Sequence, residues 1–74
     1  LLDADASATA LLIYDLLLCL GAEMTPSIAD CLYTGLATDT GCFKYGSTTP
    51  YAHRVAAALM EAGAQMESIN RRLG

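Results

Sequence analysis

The sequence has few basic residues, and this limits how it can contact nucleic acid. Its 74 residues carry a formal net charge of −4, and the four basic side chains are Lys44, Arg54, Arg71 and Arg72. Because they form no continuous stripe, tight binding of a nucleic-acid duplex by charge alone is not expected. A bound divalent cation would supply the positive charge that such an acidic chain lacks.

Cysteine is too sparse for a zinc site. Cys19, Cys31 and Cys42 are widely spaced, and no Cys-x-x-Cys pair occurs. Two of them fall in helical stretches, where small buried apolar side chains are predicted. Unpaired thiols favour a reducing, cytoplasmic location.

No apolar run is long enough to predict a membrane span. The longest, residues 10–20, is broken by Asp15, whereas a span needs roughly 20 apolar residues. No basic segment precedes it, so neither a signal peptide nor a membrane partner is expected. A Gly-rich phosphate loop and a nucleophile elbow are also missing from the sequence.

The hydrophobic content is high for so short a chain. It reaches 54%, although a chain of this size buries only about 60% of its unfolded surface. The first residue is Leu1, and the chain is expected to come from something longer. The apolar surface would then be covered either by an absent stretch of the same chain or by an oligomer such as a homodimer.

Turn chemistry predicts about four helices, so the expected fold class is mostly α. Helix starts are marked by capping side chains and Thr-Pro pairs, and helix stops by glycines. The first helix is apolar nearly all round, which predicts burial on more than one side. The first three predicted helices span residues 8–20, capped by Asp5 or Ser7, residues 26–38, capped by Thr25, and a stretch from Pro50 to Gly63, capped by Thr49. The fourth spans residues 66–73.

The second helix carries one informative acid, Asp39. At 100° per residue, Asp39 projects between Ile28 and Leu32 of the apolar stripe. A carboxylate that points inward at a helix C-terminus is costly unless it is hydrogen-bonded, paired or bound to a metal. The pattern leaves two interpretations open: a divalent-metal ligand, or a cap for the backbone of the turn that follows. Asp30, on the opposite face, is expected in solvent.

Several residues after Asp39 have functional and structural interpretations side by side. Gly41 permits a left-handed turn or close approach to a ligand, and it is also a plain helix stop. Lys44 and Arg54 could contact a phosphate, with isolated surface bases as the alternative. His53 could bind a phosphate or a metal, with a surface or half-buried histidine as the alternative. From the residues alone, the prediction is a mostly helical chain with one aspartate, Asp39, in an electrostatically unfavourable position.

Three stretches resemble motifs of the DHH-family (RecJ-like) phosphoesterases. Residues 3–17 resemble the family's segment D-x-x-A-S-x-T…L-I-Y-D-L-L, and residues 28–43 resemble its fourth motif, I-A…L-Y-T-G-I-x-T-D-T-G-x-F. Residues 48–64 fit the helix that follows. The resemblance covers essentially the whole chain and is nearest to the oligoribonuclease and pAp phosphatase branch. The Tyr-Thr-Gly…Asp-Thr-Gly-x-Phe string is its specific part.

The resemblance implies that residues 1–74 are the C-terminal half of a DHH catalytic domain, an α/β domain whose parallel sheet lies mainly in the missing N-terminal half. It implies that Asp39 binds one of two Mn²⁺ ions, with Mg²⁺ as the alternative, and that Thr40 and Gly41 shape the metal loop. The candidates near the substrate are Ser7, Thr9, Lys44 and His53.

The family's other metal ligands come from upstream motifs that this sequence lacks. The resemblance therefore implies a manganese-dependent hydrolase of short RNA (nanoRNA) or pAp, of which this chain alone is inactive. Two alternatives remain open. One is a cyclic-di-AMP phosphodiesterase of the same family, which Gly41 disfavours, and the other is a non-enzymatic helical module that docks through its first helix.

Overall fold

Four helices form the described part of the computed structural model, residues 6–43 and 48–73. They are α1 (Ala6–Cys19), α2 (Pro26–Thr40), α3 (Pro50–Glu61) and α4 (Met66–Leu73). Within these two ranges no residue is in a strand. The predicted mostly α fold class is therefore confirmed.

The two Thr-Pro pairs start helices as predicted. The hydroxyl of Thr25 accepts a hydrogen bond from the Ile28 N–H at 3.2 Å, and that of Thr49 accepts from the Ala52 N–H at 3.1 Å. The following proline needs no hydrogen-bond partner in the first turn, so each pair leaves fewer free donors at the helix start. The predicted glycine stop after α1 is also confirmed, since Gly21 has a φ of 71°.

Two helix boundaries differ from the prediction. The first helix begins at Ala6, so Ser7 lies inside it and does not cap it, while Asp5 lies outside the described residues. The second helix continues to Thr40, two residues beyond the predicted end. Within these two added residues, the Thr40 hydroxyl donates to the Leu36 carbonyl at 2.8 Å. Asp39 therefore belongs to the last turn of α2.

The helices α1 and α2 form an antiparallel hairpin. A Cβ built on Gly35 would lie 3.8 Å from the Cβ of Ala10, so this glycine sits where the helices pack closely. Ile13 and Leu32 line the same groove between the helices. The pairs Ala10–Gly35 and Ile13–Leu32 share one antiparallel register, because moving three residues forward along α1 corresponds to moving three residues back along α2.

The helix α3 returns along α2, and α4 closes the core. The ring of Phe43, after α2, lies 5.2 Å from that of His53 in the first turn of α3. At the other end, a Cβ on Gly63 would come within 3.0 Å of Pro26. The core is formed by small and branched side chains of all four helices: Ala10, Ala29, Leu32, Tyr33, Leu36, Ala37, Ala52, Val55, Ala56, Leu59 and Ile69.

Two predictions about polar and small side chains are wrong. Asp30 is half-buried rather than solvated, because its carboxylate accepts the Gln65 N–H at 2.7 Å, just before α4. Cys19 at the end of α1 and Cys31 on α2 are exposed rather than buried.

The outer face of α1 is apolar and exposed among the described residues. Leu12, Leu16 and Leu18 of this helix, and Leu20 just after it, each keep more than half of their surface accessible. Their exposure is unusual for leucine, which is most often buried in folded domains. Despite this apolar face, none of the helices described is long and apolar enough to cross a membrane.

Candidate functional site

Asp39 lies at the edge of the buried face of α2 rather than at its centre. The buried residues of the helix are Ala29, Leu32, Tyr33, Leu36, Ala37 and Thr40. At 100° per residue, Asp39 is roughly 90° from the middle of this set. It is half-buried, and the buried polar residue of the last turn is Thr40, which is 3% exposed. The helix thus places a carboxylate at the boundary between core and surface.

The structure contradicts the capping interpretation of Asp39. The Gly41 and Cys42 N–H groups both donate to the Ala37 carbonyl, the latter at 2.8 Å. The Phe43 N–H donates to the Thr40 hydroxyl at 3.0 Å. The Asp39 carboxylate has no hydrogen-bond or ion-pair partner among residues 6–43 and 48–73. Of the two interpretations of Asp39, the described structure thus leaves the metal-ligand one as a prediction.

Two helix N-termini lie at the same end of the molecule as Asp39. The register of Ala10 with Gly35 puts Ala6 level with Asp39, since each lies four residues, or about 6 Å, further along its helix. The first turn of α3 lies beside Phe43 through His53. The N-terminal dipole ends of α1 and α3 favour negative charge, whereas the C-terminal end of α2 disfavours it. Together they favour an anionic group at this end.

The predicted substrate-proximal residues fall in different places. Ser7 lies in the first turn of α1, at the Asp39 end, but its side chain is outside the described residues. Thr9 is exposed in the next turn and lines the α1–α2 groove. His53 is exposed, and its ring lies tilted against that of Phe43. Lys44 is outside the described residues. The fold thus brings Ser7 and His53 toward the end that carries Asp39, and Thr9 to the neighbouring groove.

Phe43 links the turn after α2 to the core. Its ring lies between those of Tyr33, at 5.9 Å, and His53, at 5.2 Å. Burial raises the pKa of the Tyr33 phenol, whose hydroxyl donates to the Asn70 side-chain oxygen at 3.1 Å. Phe43 is therefore a structural anchor of the turn.

A second polar cluster lies on the α1–α3 side. The Tyr51 hydroxyl donates to the Asp15 carboxylate, and the Arg54 guanidinium lies 5.7 Å from the centre of the Tyr51 ring. The hydrogen bond to Asp15 raises the pKa of Tyr51. Arg54 was a candidate for phosphate contact, but here it lies over an aromatic ring. Nothing in the sequence pattern indicated that Asp15 and Tyr51, 36 residues apart, would meet.

The described residues do not form a metal site on their own. No group of three His, Cys, Asp or Glu side chains within residues 6–43 and 48–73 is close enough together to hold an ion. Asp39 offers one carboxylate, and a divalent cation takes several oxygen ligands. Any metal held here would need further ligands from residues that the structure does not describe.

The chain is similar to part of two longer proteins. Over 71 residues, 96% of this chain, it is 42% identical to the bifunctional oligoribonuclease and PAP phosphatase NrnA of Thermus thermophilus, and the match covers 22% of that protein. Over 62 residues, 84% of this chain, it is 42% identical to an uncharacterized protein of Mycoplasma genitalium, of which 19% is covered. The chain thus spans about a fifth of these relatives. No family model matches the chain, and no solved structure matches it.

Proposed function

We propose that this chain is part of a DHH-family metal-dependent phosphoesterase, to which it supplies one metal ligand, Asp39. The observation that carries the proposal is the 42% identity, over 96% of the chain, to a protein named as an oligoribonuclease and PAP phosphatase. Both activities in that name are hydrolyses of phosphate esters. The motif string from Tyr33 to Phe43 lies within the matched region and contains Asp39.

The geometry at the end of α2 supports this role. Asp39 is half-buried, has no partner among the described residues, and takes no part in closing its own helix. A carboxylate in that situation is stabilised by a cation. Carboxylate oxygens suit Mn²⁺ and Mg²⁺, which prefer oxygen ligands.

The metal pair would be shared with residues outside the described part of the chain. When bound, two divalent cations activate water and stabilise the charge that develops on the phosphate. The task of Asp39 is to hold one ion at the end of α2, while the N-termini of α1 and α3 favour the anionic substrate. The substrate class we propose is a short oligoribonucleotide or pAp.

The proposal is tested by removing the carboxylate in the intact protein that contains this segment. Asp39→Ala and Asp39→Asn are expected to lower Mn²⁺-dependent cleavage of an RNA dinucleotide at least about 100-fold, since even outer-shell partners of a metal are worth 10–100-fold. Asp30→Asn is the matched control, because Asp30 lies on the same helix but faces α4. Unchanged turnover in both Asp39 variants contradicts the metal-ligand role.

A substrate panel separates the branches of the family. Linear RNA dinucleotide, pAp and cyclic-di-AMP are offered to the intact protein at equal concentration. Cleavage of the first two supports the proposal, and a strong preference for cyclic-di-AMP would reassign the protein to the cyclic-dinucleotide branch.

The exposed leucines of α1 favour a second candidate function, a helical interaction module. In that case the apolar face of α1 is the functional surface, and Asp39 is incidental. The module predicts that Asp39→Asn leaves all measured properties unchanged and that the intact protein hydrolyses none of the three substrates, with or without Mn²⁺.

A further inference from the structure

The turn that ends α2 has an uncommon backbone. Gly41, Cys42 and Phe43 follow one another with φ values of 60°, 57° and 72°. Glycine adopts this left-handed region freely, but cysteine and phenylalanine do so only where surrounding contacts hold them. Such backbone conformations cluster at ligand-binding sites, where the rest of the fold stabilises them.

The Thr40 hydroxyl is one of the contacts that hold this turn. It donates to the Leu36 carbonyl at 2.8 Å and accepts from the Phe43 N–H at 3.0 Å. It thereby joins the last turn of α2 to the end of the left-handed segment. Thr40 is 3% exposed; its bond to Leu36 is buried and its bond from Phe43 is partly buried, which limits competition from water.

The Phe43 ring fixes the same turn at a second point. It packs between Tyr33 of α2 and His53 of α3, with ring centres 5.9 and 5.2 Å away. The backbone bond to Thr40 and the ring contacts belong to the same residue. Losing the Thr40 hydroxyl would leave the Phe43 N–H unpaired while its ring still constrains the turn.

We propose that Thr40 is a positioning residue for Asp39. The last turn of α2 lacks the hydrogen bonds that a following helical turn would make. Its backbone conformation therefore depends on the contacts of the chain just after the helix. By tying Leu36 to Phe43, the Thr40 hydroxyl fixes the backbone on both sides of Asp39 and thus the direction of its carboxylate. This inference rests on the proposed function, because it concerns how well Asp39 is presented to a metal.

Thr38 supplies a matched control within the same turn. Its hydroxyl donates to the Thr34 carbonyl at 2.7 Å, the same kind of bond that Thr40 makes to Leu36. Thr38 is exposed, and its hydroxyl accepts no N–H from the turn among the described residues. The two threonines therefore share the bond within the helix and differ in the bond to Phe43.

The experiment compares Thr40→Val, Thr40→Ser and Thr38→Val in the intact protein that contains this segment. Valine keeps the shape of threonine without its hydroxyl, and serine keeps the hydroxyl. Two quantities are measured: the Mn²⁺ dissociation constant by calorimetry, and kcat and KM on an RNA dinucleotide. We expect Thr40→Val to weaken Mn²⁺ binding about 10-fold or more and to lower kcat with little change in KM. Thr40→Ser is expected to restore most of both, and Thr38→Val to match the parent.

Amide hydrogen exchange of the unmutated protein gives a readout that needs no variant. The Phe43 N–H is expected to be protected, and exchange at the rate of an unstructured peptide would overturn the inference even if Thr40→Val failed to fold. Equal losses of Mn²⁺ affinity and kcat in Thr40→Val and Thr40→Ser would also overturn the inference. So would unchanged values in both variants when Asp39→Ala is inactive. If the parent itself lacks Mn²⁺-dependent hydrolysis, the proposed function fails and the inference fails with it.

Discussion

At the scale of single residues, α2 carries two aspartates nine residues apart with different surroundings. Asp30 faces the start of α4 and accepts the Gln65 N–H at 2.7 Å, where the dipole of α4 favours negative charge. Asp39 stands at the C-terminal end of its own helix and has no partner among the described residues. The Asp30 carboxylate thus has a role in stability, whereas the described fold gives the Asp39 carboxylate no stabilising contact.

Removing the Asp30 carboxylate is expected to destabilise the docking of α4. Asp30→Ala leaves the Gln65 N–H without its partner, and lost helix caps cost about 1 kcal/mol. Urea denaturation measures the change in the free energy of unfolding. Glu23→Ala, at an exposed loop residue, is the control and is expected to be neutral. Equal stability of the two variants would contradict the capping role of Asp30.

The bond between Tyr51 and Asp15 makes stability depend on pH. The pKa of Tyr51 is raised in the folded protein because its hydroxyl donates to Asp15. The stabilisation is therefore fully present below the ordinary tyrosine pKa of 10.0 and is lost as the pH rises through the folded-state pKa. Urea midpoints measured from pH 9 to 11 should fall more steeply for the parent than for Tyr51→Phe. Parallel curves would show that this bond does not contribute.

Sequence reasoning placed Asp39 near the buried side of α2 but did not predict its surroundings. The helical period put it near the buried side, and the motif string identified it as the residue of interest. The capping alternative was wrong because Thr40, not Asp39, meets the turn, and the period alone does not show which oxygen reaches an N–H. Asp30 was misplaced since its partner, Gln65, lies 35 residues away in the sequence. Contacts over such distances depend on tertiary packing, which no local pattern encodes.

At the scale of helices, the sequence predicted where helices start better than it predicted which helix faces are buried. The two Thr-Pro pairs start α2 and α3 where the sequence predicts, because capping depends on three or four neighbouring residues. The burial of α1 has no such local basis. Its leucines follow no single stripe, and the described residues cover only one side of it.

Exposed and buried leucines should respond differently to truncation. Leu16→Ala removes a side chain that is 52% exposed, and it is expected to change the free energy of unfolding by less than about 1 kcal/mol. Leu59→Ala, at a fully buried position, should cost about 2–5 kcal/mol. Thermal unfolding of the 74-residue chain compares them. A large loss for Leu16→Ala would mean that α1 is already covered in solution, for example by a second copy.

At the scale of the whole molecule, the candidate site lies at one end of the helical assembly. The C-terminal end of α2 meets the N-terminal ends of α1 and α3 there, and the loop between α1 and α2 lies at the other end. The ligands that a metal would require are not assembled from the described residues alone. On the proposed function, the site would be one contribution to a larger arrangement.

The 74-residue chain by itself is expected to hydrolyse neither an RNA dinucleotide nor pAp above the buffer rate. A single candidate carboxylate cannot hold two divalent cations in place. Product release is measured by chromatography with Mn²⁺ in excess of the protein and without it. Manganese-dependent turnover by this chain would show that residues outside the described part complete the site.

The antiparallel register of α1 and α2 also has a kinetic consequence. Residues next to the connecting loop meet after closing a short segment of chain, whereas Ala6 and Asp39 meet only after 32 intervening residues are ordered. Closure entropy rises with that separation, so pairing is expected to start at the loop and proceed toward Asp39. By the same reasoning, opening is expected to begin at the first turn of α1, while the Phe43 contacts hold the end of α2 against α3. A cation bound near Asp39 would stabilise the part of the α1–α2 hairpin that pairs last.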